Sequence, residues 1–427
     1  MENQPIKQEN EVQSHETAES ALINAETEQA AEKSPKKAKP SGGTIYKYVV
    51  LVLFLITFGL TSAVLGIKIY LNLKGEPYDK LFQIEKLVSD EFFGEVDEIR
   101  LEDYLASAYI ASLDDDYASY KNAKDGERVE DSFVGNTTGI GVTVYSDDES
   151  KALAVYRVDL GSPADEAGVK AGDKIIAIDD KKIADIGYNE ALSTIQREVG
   201  TTAEITLLRQ GKEHTLSVVY KEFVRQTVYY EVVSDYGFIT ITAFNDATVK
   251  QFEQAYSDLL SQKVKGLIFD LRDNGGGTVK SSCKILDTLL GKCDLITYRF
   301  ADGTKKVDKR SDAKKCDLPM AVLVNGKTAS ASELFAANLR DMANAPLIGN
   351  NTYGKGVVQR TYFLDDGSCI RFTIGEFLPA GGESFNGKGL APDCEVSFTD
   401  EELANKFNLG ENDPYLKKAI DQLRVSS

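Results

Sequence analysis

The sequence predicts a multidomain α/β (α+β) protein with a helical N-terminal region and one transmembrane helix. A chain of 427 residues is too long for one ordinary domain. Its residues are 42% hydrophobic and 27% charged, which is typical of a globular protein. One long uncharged segment is followed by helical periodicity, then by short β-rich runs, and finally by longer strand and helix segments. These changes of pattern predict several domains behind a membrane anchor.

The N-terminal part predicts a single-pass protein of the cell membrane. Residues 1–46 are polar and lack apolar periodicity, so we expect a disordered tail. Within the predicted anchor, 47–70, the 20 residues from Tyr48 to Ile67 carry no charge, and as a helix they would cross a hydrocarbon layer of roughly 30 Å. Lysines cluster before this segment, at Lys33, Lys36, Lys37, Lys39 and Lys47. This bias predicts a cytoplasmic N-terminus and an extracytoplasmic remainder. Cleavage after Ala63, as in a signal peptide, is the alternative.

Periodicity divides the rest of the chain into four parts. Apolar residues recur every three or four positions between 78 and 113, which predicts two amphipathic helices in an N-terminal helical region, 76–137. Short β-rich runs fill 138–222, and longer strand and helix segments fill 225–400. We expect a helical C-terminal segment over 401–427.

Composition excludes several function classes. The net charge of -18 argues against nucleic acid as a partner, because phosphate binding needs clustered Lys and Arg. The two histidines, His15 and His214, and the lack of a Cys-X-X-Cys pair argue against a metal site, and we expect no cofactor. We expect His214, between a turn and a strand, to lie on the surface. Five cysteines allow at most two disulfides, and the sequence does not decide whether any forms.

The region 138–222 resembles a bacterial PDZ domain, and we call it the PDZ region. The resemblance rests on three segments: Gly139-Ile-Gly-Val142, Gly161-Ser-Pro-Ala164 and Ala167-Gly-Val-Lys-Ala-Gly-Asp-Lys-Ile-Ile-Ala-Ile178. A PDZ domain adds a C-terminal tail to its sheet as a strand, while loop N–H groups hold the carboxylate. The resemblance implies that peptide is bound by Gly139, Ile140, Gly141 and Val142, and that the partners are protein substrates with free, apolar C-termini. A tight turn between strands is the alternative interpretation of the glycines.

A predicted buried strand, Lys265–Arg272, runs into Asp273-Asn-Gly-Gly-Gly277, which we call the glycine loop. No Gly-Lys-Ser/Thr closes this loop, so a nucleotide-binding P-loop is not supported. Glycines allow a close approach of the backbone to a substrate and can offer N–H groups to a developing oxyanion. The glycine loop is therefore a candidate oxyanion site.

Ser330 lies between an apolar strand, Met320–Asn325, and a helical run, Ala331–Arg340. A hydroxyl at a helix N-terminus is a candidate nucleophile, because the helix dipole and the Ala331 N–H can stabilise an oxyanion. The spacing from Ser330 to Glu333 is also that of a capping box, so Ser330 could merely begin the helix.

A serine nucleophile needs a base, and the predicted extracytoplasmic part offers no suitable histidine. Lys355 lies between two glycines at the predicted start of a strand, four residues before Gln359. The two-residue period of a strand puts both side chains on one face, where Gln359 could orient the amine while burial disfavours its charge. A solvated loop lysine is the alternative.

These motifs together resemble the C-terminal processing peptidases, also called tail-specific proteases. Beside the PDZ region, the matching segments between about 78 and 400 are Leu113-Asp-Asp-Asp-Tyr-Ala-Ser-Tyr120, Asp270-Leu-Arg-Asp-Asn-Gly-Gly-Gly277, Thr328-Ala-Ser-Ala-Ser-Glu333, Gly354-Lys-Gly-Val-Val-Gln359 and Gly387-Lys-Gly-Leu-Ala-Pro-Asp393. The resemblance implies a crotonase/Clp-like peptidase core with an inserted PDZ domain.

The resemblance also implies an activity, namely a membrane-anchored serine endopeptidase that forms an acyl-enzyme and recognises the C-terminal tails of extracytoplasmic proteins. It assigns the catalytic roles as follows: Ser330 as nucleophile, Lys355 as general base, Gln359 as its orienting partner, and Gly276 and Ala331 as oxyanion donors. The triplet of glycines leaves Gly275 open in place of Gly276.

One departure from the family pattern concerns the end of the PDZ helix. The family usually has Ile-Arg-Gly before Gly-Thr, whereas this chain has Ile195-Gln-Arg-Glu-Val-Gly-Thr201. Arg197, one place along, is therefore our regulatory candidate for a PDZ domain that gates the active site, with Gln196 as the alternative. The sequence leaves open whether the protein also forms a homo-oligomer.

Two other functions are alternatives. A non-catalytic PDZ membrane receptor would be indicated by loss of Ser330 or Lys355, but both residues are present. A Ser-X-X-Lys acyltransferase is suggested by that pattern at Ser281–Lys284 and Ser311–Lys314. Neither occurrence is accompanied by the Ser-Asp-Asn and Lys-Thr-Gly elements of that class, which argues against it.

Overall fold

A computed structural model describes residues 42–73, 78–147, 149–312, 314–404, 406–407 and 409–425. It contains two compact units, one up to Val96 and one from Asp97 onward. Most of the predicted tail, residues 1–41, lies outside the described residues. The first helix begins at Gly42, inside the stretch for which the sequence predicts a tail.

The first unit consists of helices α1 (Gly42–Leu73) and α2 (Asp79–Glu91). Within α1, the segment Tyr46–Lys68 is long and apolar enough to cross a membrane, and its side chains are exposed. The predicted N-terminal helix of this kind is therefore confirmed, while length and composition alone do not distinguish an anchor from a signal sequence.

The second unit begins with helices α3 (Glu98–Ala111) and α4 (Ala123–Val134). The Asp97 side chain accepts the Arg100 N–H at 3.0 Å, so that α3 has a side-chain cap at its first turn. Helix α4 ends at Val134 and is capped by Gly135, whose φ of 103° is favourable only for glycine. Helices α2 and α3 confirm the two helices that periodicity predicts.

The PDZ region forms an antiparallel sheet with two short helices packed against it. The strand order is β3-β4-β5-β7-β8, with β6 paired to β5, so β3 is an end strand. The elements are β3 (Val142–Asp147), β4 (Ala152–Val158), α5 (Pro163–Ala167), β5 (Lys174–Ile178), β6 (Lys181–Lys182), α6 (Ile183–Thr194), β7 (Thr202–Arg209) and β8 (Lys212–Val219). A separate ribbon pairs β2 (Asn136–Gly139) with β9 (Lys221–Val224), and it therefore brings the two connections of the PDZ region side by side.

The peptidase-like part is built on a six-stranded sheet of order β10-β11-β12-β15-β16-β19. Its strands are β10 (Val228–Val233), β11 (Tyr236–Ile241), β12 (Leu267–Asp270), β15 (Met320–Val324), β16 (Leu347–Gly349) and β19 (Cys394–Glu395). All neighbours are parallel except β10 and β11. The four central strands, β11, β12, β15 and β16, are buried on both faces, which explains their continuous apolar runs. Helices cover the two faces: α7 (Asp246–Ser261), α8 (Val279–Leu289) and α9 (Ala331–Ala343) on one, and α11 (Pro414–Val425) on the other.

A second sheet is organised around the long strand β18 (Cys369–Leu378). Its other strands are β1 (Ser119–Lys121), β13 (Asp294–Arg299), β14 (Lys305–Arg310) and β17 (Val357–Phe363). Strand β18 pairs directly with β1, β13 and β17. It therefore connects β1, which follows α3, with the strand that comes after Lys355. The short helix α10 (Asp400–Ala404) and a 3-10 turn (Gly410–Asn412) complete the chain before α11. All five cysteines are unpaired.

Parallel strands place their carboxyl ends at one edge of a sheet, where α/β proteins commonly bind ligands. The glycine loop follows β12 at this edge, and the loop that carries Ser330 follows β15, the neighbouring strand. The topology therefore brings together two motifs that lie more than fifty residues apart in the sequence.

Candidate active site

Ser330 occupies a sharp turn between β15 and α9. Its φ of 59° with ψ of -119° is rare for a residue with a Cβ, and such strain is found at functional sites. Thr328 stabilises the turn, because its hydroxyl donates to the Leu271 carbonyl oxygen at 2.9 Å. Ser330 remains partly exposed at the start of α9. The local structure thus presents its side chain at a helix N-terminus.

Glu333 is a buried carboxylate that binds two loops at once. It accepts the Ser330 N–H at 2.8 Å, the Gly354 N–H at 2.7 Å and the Lys355 N–H at 2.9 Å, together with the Thr352 hydroxyl. The sequence indicated only a capping role for Glu333, through the Ser-X-X-Glu spacing. The bonds to residues 352–355 have no local signal in the sequence. We call residues 352–356 the base loop, and Glu333 fixes its backbone to that of Ser330.

Lys355 is half-buried, and its amine lies 4.1 Å from the centre of the Tyr117 ring. Burial has the largest influence on this amine and lowers the pKa of Lys355. The positive charge of Arg371 lowers the pKa further, while Asp115 acts in the opposite direction. Strand β17 begins at Val357, so Lys355 precedes the strand, although the sequence predicted that the strand starts at this lysine.

Gln359 lies on β17 beside a break in the strand register. The pairing of β17 with β18 shifts between Val358 and Gln359. The Gln359 amide donates to the Val357 carbonyl oxygen at 3.2 Å and to the Thr373 hydroxyl at 3.4 Å. The Thr373 hydroxyl in turn donates to Asp115. A role for Gln359 in orienting Lys355 stays a prediction.

The glycine loop contacts the nucleophile through Gly276. A Cβ added to Gly276 would lie 3.0 Å from the Ser330 Cβ and 2.8 Å from the Ala329 carbonyl oxygen, so only glycine fits without a shift. The Gly276 N–H, however, donates to the Asn274 side chain at 2.9 Å. In this conformation the predicted donor already has a partner, whereas Gly275 is exposed with open space around it.

Asn274 is the second residue whose role the sequence did not indicate. It is fully buried, and its amide donates to the Ile241 carbonyl oxygen at 2.8 Å while its side-chain oxygen accepts the Gly276 N–H. Its own carbonyl oxygen accepts the Ala329 N–H at 3.1 Å. Asn274 thus connects β11, the glycine loop and the residue before Ser330. The Ala331 N–H belongs to the first turn of α9, where N–H groups have no acceptor within the helix.

This chain is similar to known protein families and to known proteins. The model of "Peptidase family S41" matches residues 235–396, and that of "PDZ domain" matches 138–219. Carboxy-terminal processing protease CtpA of Bacillus subtilis (strain 168) is 32% identical over 361 residues, which cover 83% of this chain and 77% of that protein. The carboxy-terminal-processing protease of Bartonella bacilliformis is 32% identical over 311 residues, 70% of each chain. This chain belongs to peptidase family S41.

A solved structure is similar to this chain in fold. A putative S41 protease from Bacteroides fragilis has a TM-score of 0.56 at 17% identity, and the match covers 79% of this chain and 92% of that one. The predicted peptidase core with a PDZ domain is therefore confirmed, as is a serine-type peptidase of the carboxy-terminal processing group.

In this S41 peptidase the predicted peptide-binding residues connect the ribbon to the end strand of the PDZ sheet. Gly139 ends β2, and Val142 begins β3. Between them, the buried Ile140 accepts the Ala164 N–H at 2.8 Å through its carbonyl oxygen. A Cβ on Gly141 would lie 2.2 Å from the Ser162 Cβ, so a close approach requires this glycine. Their role in binding tails stays a prediction.

The contacts of Arg197 stay within the PDZ region. Its guanidinium donates to the carbonyl oxygens of Thr194 and Thr202 at 3.1 and 3.2 Å and pairs with Asp179. It also lies 6.0 Å from the centre of the Tyr220 ring. The structure therefore does not join Arg197 directly to the base loop in this conformation, and its regulatory role stays a prediction.

The serines of the two Ser-X-X-Lys patterns are buried and form hydrogen bonds within the protein. Ser281 is buried in α8 and exchanges hydrogen bonds with Thr278. Ser311 is buried, and its hydroxyl donates to the Leu290 carbonyl oxygen at 2.6 Å. Neither hydroxyl is accessible to a substrate.

Proposed function

We propose that this S41 peptidase is a membrane-anchored serine endopeptidase with a Ser330/Lys355 dyad that acts on extracytoplasmic proteins. The observation that carries the proposal is the buried Glu333 carboxylate, which binds the backbone N–H groups of both dyad residues. A shared anchor of this kind keeps nucleophile and base in a fixed relation, and such pre-organisation can provide much of an enzyme's rate acceleration.

In the proposed mechanism, neutral Lys355 takes the proton of the Ser330 hydroxyl as Oγ attacks the scissile carbonyl carbon. The ammonium then gives this proton to the leaving amine, which departs as the C–N bond breaks and the acyl-enzyme forms. Water hydrolyses the acyl-enzyme by the same proton route in reverse. Ala331 N–H is the oxyanion donor that the helix position favours, and a glycine N–H is the second. Gln359 is proposed to orient the lysine amine.

Burial supports the base assignment because a lysine can act as a base only when it is neutral. Burial and the charge of Arg371 lower the pKa of Lys355, which increases the neutral fraction at a given pH. We therefore expect kcat/KM to rise as pH increases through this lowered pKa and to level off above it. A pH profile governed only by a group in the ordinary histidine range would contradict a lysine base.

The PDZ region is proposed to recognise the C-terminal tails of substrates. Its end strand β3 suits strand addition by an extended peptide, and Gly139 to Val142 lead into this strand. We assign residues 47–70 to the anchor, 138–222 to the PDZ domain and 225–400 to the peptidase core. The lysines before α1 favour a cytoplasmic N-terminus and a peptidase outside the cytoplasm.

The test uses the full chain and peptide substrates that differ only in their last residues. Ser330→Ala and Lys355→Ala should each lower hydrolysis by at least about a thousand-fold, and the double variant should resemble the single ones. Ser281→Ala is a matched control at a buried serine and should stay active if it folds. Retained turnover in either dyad variant would refute the dyad. Tail binding without hydrolysis by the wild type would instead indicate a receptor.

A further inference from the structure

The loop between α3 and β1 contacts the base although it lies outside both matched segments, 138–219 and 235–396. We call residues 113–117 the acidic loop, because Asp114, Asp115 and Asp116 lie in it. Tyr117, its last residue, presents its ring to the Lys355 amine at 4.1 Å. An aromatic face stabilises the ammonium that forms when Lys355 takes a proton, so this contact can hold the amine in place during proton transfer.

Asp115 connects the acidic loop to the sheet that carries Gln359. One oxygen accepts the Thr373 N–H at 2.7 Å, and the other accepts the Thr373 hydroxyl at 3.1 Å. The second oxygen also accepts the Tyr117 N–H at 3.0 Å. The Asp115 carboxylate thereby fixes Tyr117, whose ring contacts the lysine amine. It also fixes Thr373, whose hydroxyl accepts a hydrogen bond from the Gln359 amide. The adjoining pair Ser119 and Arg371 holds β1 against β18.

We propose that Asp115 is a positioning residue for the general base: it fixes the Tyr117 ring against the Lys355 amine and, through Thr373, the amide of Gln359. This inference rests on the proposed function, since it concerns the base of the same dyad. It makes the acidic loop a part of the active site and not only a connection between α3 and β1.

The charges around the amine indicate what Asp115 contributes beyond geometry. Arg371, on β18, disfavours the lysine ammonium, and Asp115 favours it. Burial disfavours ionisation of Asp115, but the hydrogen bonds from Thr373 and Tyr117 outweigh it and keep the pKa of Asp115 below its ordinary value. Glu333 binds the Lys355 backbone N–H.

The hydroxyl of Tyr117 remains neutral under ordinary conditions. Burial is the main cause that raises the pKa of Tyr117, and the neighbouring Tyr353 hydroxyl and the carboxylates of Asp116 and Glu333 raise it further. Among the charged groups that act on Lys355, Asp115 is the one that favours the protonated lysine. Removing its charge should lower the pKa of the base.

The first experiment compares the pH dependence of kcat/KM in Asp115→Asn, Asp114→Asn and the wild type. The change from aspartate to asparagine keeps the size of the side chain and one acceptor oxygen but removes the charge. We expect the acid limb of Asp115→Asn to move to lower pH by roughly half a unit or more, since a nearby opposite charge favours the charged form. Asp114→Asn removes the same charge from an exposed neighbouring residue, and its profile should superimpose on that of the wild type.

The second experiment isolates the ring contact. Tyr117→Leu should lower kcat by about ten-fold or more with little change in KM, because a misplaced catalytic group slows chemistry more than binding. Tyr117→Phe keeps the ring face, so its kcat should fall clearly less than that of Tyr117→Leu. Thermal unfolding of each variant checks the fold, and the Tyr117 pair provides the test if Asp115→Asn does not fold.

The outcomes separate this inference from the dyad itself. If Lys355→Ala is inactive while Asp115→Asn has a wild-type pH profile and the two Tyr117 variants are equally active, Asp115 only closes a turn and the inference is wrong. If Lys355→Ala retains turnover, the dyad is wrong as well. If the acid limb shifts in Asp115→Asn but not in Asp114→Asn, and Lys355→Ala is inactive, the result supports both the inference and the dyad.

Discussion

The catalytic loops and the PDZ region are stabilised by different kinds of contact. Around Ser330, the buried side chains of Glu333, Asn274 and Thr328 bond to backbone groups of other segments of the chain. The polar contacts of Arg197, in contrast, stay within the PDZ region. Buried polar groups are costly to separate, so the catalytic loops should move together.

The PDZ region contacts the rest of its unit through aromatic rings and through hydrogen bonds near its connections, such as that from the Leu160 N–H to the Gln226 side chain at 3.1 Å. Phe407, in the segment before α11, lies 4.9 Å from the Tyr145 ring and 4.7 Å from the Tyr156 ring, measured between ring centres. The Tyr229 hydroxyl donates to Asp159 at 2.8 Å. Aromatic ring contacts can slide without leaving polar groups unpaired, so the side of the PDZ region that packs on Phe407 can change position at lower cost than the catalytic loops. The comparison therefore indicates a rigid catalytic centre and a more easily displaced PDZ region.

The largest effect should come from breaking the shared carboxylate of the catalytic loops. Glu333→Ala leaves three backbone N–H groups without their acceptor, and we expect the free energy of unfolding to fall by at least about 3 kcal/mol. Activity should fall by about a hundred-fold or more in the variant that remains folded, because the base loop is released from Ser330. Kinetics and chemical denaturation measure the two effects.

Glu333→Gln keeps the size and one acceptor oxygen, so its losses should be intermediate. Glu253→Ala changes an exposed glutamate of α7 and should alter neither quantity measurably. If Glu333→Ala has the kinetics and stability of the wild type, Glu333 serves only as a helix cap. The catalytic loops would then not be held more firmly than the PDZ region.

A smaller effect is expected where the PDZ region is held by the aromatic contact. Phe407→Ala should cost about 1 kcal/mol, since aromatic pairs contribute roughly 0.5–1.5 kcal/mol beyond burial. We expect faster amide hydrogen exchange in β3 and β4, with α9 unchanged, because α9 belongs to the buried catalytic part. Leu403→Ala, at an exposed residue of the same segment, is the control. Equal changes in α9 and in β3 would show that the two regions move as one.

The smallest effect should come from Arg197→Ala. Partly exposed ion pairs contribute up to about 1 kcal/mol, and the hydrolysis of peptides without a PDZ-binding tail should stay within about two-fold of the wild type. If Arg197 reports tail binding, a short non-cleavable tail peptide will speed hydrolysis of an amidated substrate by the wild type but not by this variant. His214→Ala, at an exposed residue of β8, is the control. Inhibition of the wild type at every peptide concentration would contradict gating.

The sequence by itself determined the features that depend on local chemistry. Twenty uncharged residues predict a helix that can span a membrane, the glycine triplet predicts a close approach of the backbone, and a serine between strand and helix predicts an exposed hydroxyl at a helix N-terminus. Each of these features lies within a short segment, where periodicity and residue type carry the information. The family resemblance rests on the same short segments.

Tertiary structure alone decided which distant groups surround those residues. Thr373 bonds to Asp115 across 258 residues of sequence, and Glu333 binds Lys355 across 22. The Asn274 amide likewise donates to the Ile241 carbonyl oxygen across 33 residues. A hydrogen bond between separate loops leaves no periodic pattern in the chain, because it depends on how sheets and helices bring those loops together. The candidate catalytic residues were therefore visible in the sequence, while the groups that position them became visible only in the fold.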